Sequence, residues 1–216
     1  MRLGTYYRAK ILKHFQIEAT GESVLDVGAY DGYWLSTQKA ENKYALDLEV
    51  NKLYKNIHYI EASALKIPFE SNYFNQVFAF DVLEHIEEGK EEKFLNELIR
   101  VCKENGEIIL SMPSKSIKMF PGFMTDYISR KWGHHKYNGY SKKELDKFLS
   151  EYDNISYQIL ENNAPFLRFF YLPIRILWSF VPNIMKKVLE TIAVKDYGLK
   201  KGNNGFYIVK IEKENS

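Results

Sequence analysis

The stretch that most constrains this chain is residues 23–34, SVLDVGAYDGYW. Its short apolar run is typical of a buried parallel strand, and the glycines Gly28 and Gly32 predict a sharp turn into a helix. Glycine has no Cβ, so the backbone at these positions can take positive φ and let a ligand approach closely. The first helical turn then offers unpaired N–H groups. The sequence therefore predicts a ligand-binding bend at the end of the first strand.

The charge beside this bend indicates which ligand it holds. A helix N-terminus favours phosphate, but Asp26 at the end of the strand would repel a pyrophosphate. An ammonium, a sulfonium and ribose hydroxyls would instead be favoured. The spacing is G-x-x-x-G, with Tyr30 where a middle glycine would stand, so the nicotinamide dinucleotide fingerprint is incomplete. S-adenosylmethionine is the ligand that these features favour.

The segment VLDVGAYDG resembles the first motif of the class I S-adenosylmethionine-dependent methyltransferases, in particular their small-molecule, type 11-like branch. In that motif the acidic residue and the glycines hold the methionine part of the cofactor. The resemblance implies this role for Asp26, Gly28, Ala29 and Gly32. Tyr30 departs from the commonest form of the motif, which has glycine at that position.

The second acidic candidate is Asp47, at the end of KYALDLE and nineteen residues after Gly28. An acidic side chain about 20 residues beyond the glycines is placed to accept hydrogen bonds from a ribose diol. Asp47 is the predicted ribose ligand, with Glu49 as the fallback, and Leu48 is assigned to the same site. The alternative is that Asp47 caps a short helix over 50–55.

The third segment, IHYIEASALKIPF, predicts a strand over 57–60 followed by a loop. It is similar to the family segment in which an Asp before an Ala binds the adenine amino group, which places Ser63 and Ala64 at the adenine. A hydroxyl accepts a weaker hydrogen bond than a carboxylate, so Glu61 is the alternative ligand. Leu65 would then line the adenine face.

The fourth segment, FNQVFAFDVLEHIEE, predicts a buried strand over 77–80 that ends at Asp81. DVLEHI matches the fourth-strand signature of the family, which implies that Asp81 and Val82 lie beside the methionine moiety and the methyl group. His85 is a candidate proton acceptor. The absence of an Asn-Pro-Pro-Tyr motif argues against amide or adenine N-methylation. Four strand ends that carry ligand groups predict one crevice at the carboxyl edge of the sheet.

The remaining pattern predicts one α/β domain over 1–216. Strands that alternate with helices indicate parallel βαβ units. The resemblance implies a Rossmann-like, doubly wound, seven-stranded sheet, mostly parallel with the last strand antiparallel and with helices on both faces. The predicted helices are an amphipathic N-terminal segment, 32–39, 50–55, 88–102 and 141–149, and the later strands are 107–112, 155–160 and 206–212.

Between the fifth strand and the helix at 141–149 lies a long aromatic connection, residues 113–140, and loops of this length are usually functional. WGHHKYNGYSKKEL resembles a run in methyltransferases that act on sugars and lipids, where it forms part of the acceptor pocket. His134 and His135 are therefore predicted to contact the acceptor, and structural hydrogen bonding is the alternative. No metal site is expected here, because no other group of metal-ligand residues lies at metal-binding spacing.

An unusual insert, residues 164–194, precedes the last strand. Its longest uncharged run, 176–185, is far shorter than the roughly 20 residues that span a bilayer. Arginines and lysines interleave with Phe, Trp and Leu, which is typical of a segment in a membrane interface. A lid over the acceptor pocket and a dimer contact are the alternatives.

Together these features predict O-methylation of a small, sugar or lipid-linked acceptor, with a histidine as base. The alternatives are a non-catalytic module that docks through its insert and an RNA methyltransferase. A net charge of +2 without a concentrated basic face gives no reason to expect nucleic acid. The single Cys102, placed in a helical stretch as a core residue, fits a reducing compartment and a cytoplasmic, membrane-peripheral location. Tyr6 and Tyr7 are weaker candidates for lining the crevice.

Overall fold

A computed structural model of the chain describes residues 3–117, 139–199 and 205–214. Its strands are β1 Ser23–Val27, β2 Asn42–Asp47, β3 His58–Glu61, β4 Phe74–Phe80, β5 Cys102–Pro113, β6 Ile155–Asn163 and β7 Gly205–Lys213. Its helices are α1 Leu3–His14, α2 Tyr33–Ser36, α3 Glu91–Val101, α4 Lys142–Leu149, α5 Pro165–Trp178 and α6 Pro182–Gly198, and a 3₁₀ turn covers Leu83–His85.

The strands form one seven-stranded sheet in the order β3-β2-β1-β4-β5-β7-β6. The pairs from β3 to β5 are all parallel. β7 runs antiparallel to both of its neighbours, β5 and β6. This arrangement confirms the predicted Rossmann-like sheet, mostly parallel with an antiparallel last strand. Because β1, β2 and β4 are adjacent and parallel, their carboxyl ends meet at one edge.

Two apolar layers cover the sheet, one on each face. The first contains buried residues of α1, α2, α5 and α6, and the second those of α3 and α4. Side chains of β1 alternate between them, with Val24 in the first layer and Leu25 and Val27 in the second. The helices therefore lie on both faces, as predicted.

Helix α3 has the predicted buried stripe, since Phe94, Leu95, Leu98 and Ile99 are all buried. Its predicted C-terminus was wrong. Cys102 has extended backbone angles and begins β5, although it is buried in the core as expected. The strand therefore starts well before the predicted residue 107, because residues 102–106 also lie along the sheet.

Two other helix predictions were wrong in extent. The helix after the glycine bend, predicted over 32–39, is the single turn α2. Residues 50–55 are not helical, because two of their N–H groups bond outside the segment. The Asn51 N–H donates to the Tyr30 carbonyl at 3.0 Å, and the Tyr54 N–H donates to the Tyr59 hydroxyl at 3.2 Å.

The predicted start of α4 is confirmed. The Ser141 hydroxyl accepts from the Glu144 N–H, and the Glu144 carboxylate accepts from the Ser141 N–H, which is a complete capping box. The insert at 164–194 forms α5 and α6, which pack against each other as a helical hairpin. In the part of the chain that the structure describes, no helix is long and apolar enough to cross a membrane.

Candidate active site at the carboxyl edge of the sheet

The bend after β1 has the backbone that its glycines predict. φ is +76° at Gly28 and +67° at Gly32, and Tyr30 between them also has a positive φ of +46°. A Cβ added to Gly28 would lie 2.5 Å from Cγ2 of Val82. The ends of β1 and β4 therefore approach so closely that only glycine fits at this position.

Asp47, at the end of β2, is tied to this bend. Its Oδ2 accepts from the Tyr30 N–H at 2.9 Å and its Oδ1 accepts from the Leu48 N–H at 2.8 Å. The bend is also fixed to β2 by the Gly28 N–H, which donates to the Leu46 carbonyl at 2.7 Å. A carboxylate has about four acceptor positions, so both oxygens of Asp47 can still accept from ribose hydroxyls.

Asp26, in β1, is buried, with 5% of its surface exposed. Burial, opposed by the Arg8 guanidinium and assisted by the charges of Asp47 and Asp31, raises the pKa of its carboxyl to about 8. A neighbouring cation favours the ionised form of such a carboxyl. Asp26 is thus suited to a positively charged ligand.

Asp81, after β4, already has two partners. Arg8 of α1 forms an ion pair with its Oδ2, and the Ser111 hydroxyl donates to its Oδ1 at 2.8 Å. The same arginine donates to the Phe80 carbonyl at 3.3 Å. No sequence pattern indicates Arg8, because its partner is 73 residues away and no spacing rule joins them.

Glu84 is the second residue at this edge that no sequence pattern indicated. It is 1% exposed, and its Oε2 has no hydrogen-bond partner in the described parts of the chain. Burial, and then the charge of Asp81, raise the pKa of this carboxyl well above its ordinary value. Its position within DVLEHI was visible, but its burial was not. The next residue, His85, is exposed at the same edge.

The predicted adenine segment follows β3. The Ser63 hydroxyl accepts from the Leu65 N–H at 3.2 Å and keeps its own proton as a donor. Ser63, Ala64 and Leu65 are all half-buried, whereas Leu48 is 78% exposed. These groups follow β3 and β2, which neighbour β1 in the sheet. The carboxyl edge of the sheet therefore brings together the residues predicted to bind the nucleoside and those predicted to bind the methionine moiety. The roles of the individual residues stay predictions.

The remaining predicted residues are His134, His135, Tyr6 and Tyr7. His134 and His135 fall outside the described residues. Tyr6 and Tyr7 direct their hydroxyls to α6, where they donate to Glu190 and Asp196 at 2.7 Å each. The hydroxyl groups of these two tyrosines therefore join helices. Within residues 3–117, 139–199 and 205–214, no three His, Cys, Asp or Glu side chains are grouped to hold a metal ion.

Comparison with known proteins agrees with this geometry. Residues 25–110 match the sequence model of a methyltransferase domain, Methyltransf_11. An uncharacterised protein of Methanocaldococcus jannaschii is 29% identical over 197 residues, which cover 88% of this chain and 78% of the relative.

Several solved structures share the fold. The YcgJ protein of Bacillus subtilis superposes with a TM-score of 0.61 at 16% identity, over 97% of this chain and all of the other. A methyltransferase of Archaeoglobus fulgidus, described as S-adenosylmethionine-dependent, has a TM-score of 0.61 at 13% identity, over 95% and 93% of the two chains. Phosphoethanolamine N-methyltransferase 2 of Haemonchus contortus, solved with phosphomonomethylethanolamine and S-adenosylhomocysteine, has a TM-score of 0.64 at 17% identity. The comparison covers 99% of this chain and 53% of that enzyme.

At these identities the solved structures establish the fold, and the matched segment shows similarity to a methyltransferase domain. The match begins in β1 and ends in β5, so it includes the strand ends that carry Asp26, Asp47 and Asp81. Residues 25–110 therefore match a methyltransferase domain, and the fold around them is the one found in S-adenosylmethionine-dependent methyltransferases.

Proposed function

We propose that this chain transfers a methyl group from S-adenosylmethionine to a hydroxyl group of a small, sugar or lipid-linked acceptor. The observation that carries this proposal is the alignment of Asp47, Asp26 and Asp81 at the ends of the neighbouring strands β2, β1 and β4, with His85 following on the same edge. The carboxylates provide the cofactor-binding groups, and the histidine provides a base.

The residues present fit the cofactor. The glycine bend has positive φ at Gly28 and Gly32, and both oxygens of Asp47 retain acceptor capacity for a diol. Asp26 is a buried carboxyl that a cation would help to ionise. When bound, S-adenosylmethionine supplies a methyl group on a positively charged sulfur.

The protein's part in such a transfer is mainly alignment, which can lower a barrier by roughly 7 to 11 kcal/mol. A hydroxyl acceptor must also lose a proton, and an imidazole can take it near neutral pH. His85 is exposed at the cofactor edge and its N–H donates to the Val82 carbonyl at 2.9 Å, which holds its backbone close to Asp81. We therefore assign His85 as the base, and His134 and His135 remain the predicted acceptor contacts.

Cofactor binding is the first test. We expect S-adenosylmethionine or S-adenosylhomocysteine at a hundredfold excess over Kd to stabilise the folded chain by about 2.7 kcal/mol. Asp47→Ala should abolish that stabilisation. Asp153→Ala, at an exposed position after α4, is the matched control and should keep it. No stabilisation of the wild type by either ligand would contradict the proposal.

Methyl transfer is the second test, with labelled cofactor and lipid, carbohydrate and soluble-metabolite fractions as acceptors. His85→Asn should lose most turnover while cofactor stabilisation stays at the wild-type level. Label in amine products would contradict the hydroxyl acceptor. Cofactor binding without turnover of any fraction would favour the non-catalytic module, whose docking segment would be α5 and α6.

A further inference from the structure

The helical hairpin of α5 and α6 is anchored firmly at its base. Asp196 of α6 is fully buried, and its carboxylate accepts from the Tyr7 hydroxyl at 2.7 Å and from the N–H groups of Phe166 and Leu167 at 2.9 and 3.2 Å. Glu190 accepts from the Tyr6 hydroxyl at 2.7 Å. The base is therefore part of the folded core.

The opposite end of the hairpin exposes large apolar side chains. We call residues 176–184 the hairpin tip. Within it Ile176 is 57% exposed, Leu177 44%, Phe180 78% and Ile184 58%. Ile174 and Met185, immediately outside the tip, are buried against the core. Apolar groups so concentrated on a surface usually mark an interaction site.

The charged residues of the hairpin that flank the tip on both sides are all positive. The 25 residues from 165 to 189 contain Arg168, Arg175, Lys186 and Lys187 and no acidic residue. Arg175 and Lys187 are exposed on either side of the tip. A partner must therefore accept apolar side chains and offer negative charge at the same place.

An anionic bilayer surface has both properties. Apolar side chains can enter the acyl boundary, and each lysine or arginine near anionic headgroups adds electrostatic attraction. A second copy joined tip to tip would instead bring these four cations against four others. We propose that the hairpin tip docks on an anionic lipid bilayer, with its apolar side chains inserted and its cations at the headgroups.

This docking goes beyond the proposed methyl transfer and does not depend on it. It is also compatible with the lengths of α5 and α6, neither of which is a candidate to cross the membrane. Arg8 and Tyr6 lie on the same helix, α1, and contact Asp81 and Glu190 respectively. Helix α1 thus joins the cofactor edge to the docking element.

Vesicle flotation of the full chain, without cofactor, tests the proposal. Wild type should float with vesicles of phosphatidylcholine containing about 30 mol% phosphatidylglycerol, and far less with phosphatidylcholine alone. Leu177→Ser with Phe180→Ser should lower the partition coefficient at least about tenfold, because both side chains leave the bilayer. Val194→Ser, on α6 and 57% exposed but near the base, is the matched control and should bind as wild type.

Charge-reversal substitutions test the contribution of the cations to vesicle binding separately from that of the apolar groups. Lys186→Glu with Lys187→Glu should weaken binding to the anionic vesicles at least about fivefold for each cation. Lys143→Glu with Lys147→Glu, at exposed positions of α4, changes the net charge equally and should leave binding unchanged. Equal losses in the two pairs would show that net charge alone drives binding, which overturns the tip as the docking element.

A further measurement requires no polar substitution in the tip. Lipids brominated in their acyl chains should quench the tryptophan fluorescence of wild type, and Trp178→Phe, at the end of α5, should remove most of that quenching. Absence of both flotation and quenching overturns the proposal. A dimer in sedimentation equilibrium that Phe180→Ser dissociates would assign the tip to a second copy and overturn it as well.

Discussion

The two faces of the sheet are covered in different ways. On one face, α3 presents a continuous apolar stripe in which Phe94, Leu95 and Leu98 are fully buried. On the other, α1 lies against α6 and is joined to it by buried polar contacts such as the Tyr7 to Asp196 hydrogen bond. The α3 face is held mainly by apolar packing, whereas the α1 face adds charged groups that extend to the carboxyl edge of the sheet.

This difference indicates that the two faces have different roles. Buried carboxylates are costly unless they are paired, so their accumulation beside α1 is more readily explained by ligand binding than by stability. Arg8 and Asp26 belong to the α1 face, and so does the hairpin tip at residues 176–184. The α3 face is therefore expected to determine stability, and the α1 face to determine binding and docking.

The largest effect is expected on the α3 face. Phe94→Ala removes a fully buried ring and should lower the free energy of unfolding by about 3 to 5 kcal/mol, because a cavity adds to the lost burial. Urea denaturation measures this loss. Lys93→Ala, an exposed neighbour, should change stability by less than about 0.5 kcal/mol. A loss below 1 kcal/mol for Phe94→Ala would contradict the assignment of stability to this face.

The next effect depends on pH. Burial raises the pKa of Asp26 to about 8, whereas an unfolded aspartate has a pKa of about 3.9. The folded state holds the proton more tightly, so the resulting stabilisation is complete below about pH 4 and is lost as the pH rises to about 8. The Asp26→Asn variant cannot ionise at this position. Its free energy of unfolding, relative to that of wild type, should rise by up to about 4 kcal/mol between about pH 5 and pH 8.

Urea denaturation of the cofactor-free chain across that pH range measures the gain. Asp153→Asn, at an exposed position, is the matched control and should not reproduce this gain. If the free energies of unfolding of Asp26→Asn and wild type changed with pH in parallel, Asp26 would not be a buried carboxyl with a raised pKa. The assignment of ligand binding to the α1 face would then lose its main support.

A smaller effect on stability is expected when a tyrosine hydroxyl is removed, and its size should depend on whether that hydroxyl is hydrogen-bonded. Tyr7→Phe deletes a hydrogen bond to a buried carboxylate and should cost about 1.5 to 3 kcal/mol of unfolding free energy. Tyr152→Phe, on the α3 face, deletes a buried hydroxyl that has no hydrogen-bond partner among residues 3–117, 139–199 and 205–214, and it should be neutral or stabilising. Equal costs, measured by thermal denaturation, would remove the distinction between the faces.

The smallest effect concerns the end of a helix on the α3 face. Ser141→Ala removes the hydroxyl of the capping box of α4 and should cost about 1 kcal/mol. Ser156→Ala, exposed in β6, is the control and should be nearly neutral. A cost larger than that of Phe94→Ala, in the same urea assay, would show that the apolar stripe is not the main source of stability on this face.

Local patterns predicted what depends on local rules. The glycine bend, the position of Asp47 and the capping box of α4 each follow from residues a short distance apart, and the structure has all three. The helix predicted over 50–55 was wrong, because its N–H groups bond to Tyr30 and Tyr59. Apolar spacing alone does not reveal such competing partners.

By itself, the sequence determined the order of strands and helices, the glycine bend and the acidic residues at the strand ends, because backbone preference and periodicity act over a few residues. Only the tertiary structure decided that Arg8 pairs with Asp81, that Glu84 is buried and that the hairpin tip is exposed. Burial and ion pairing depend on which distant segments pack together, and a single sequence records no such distances.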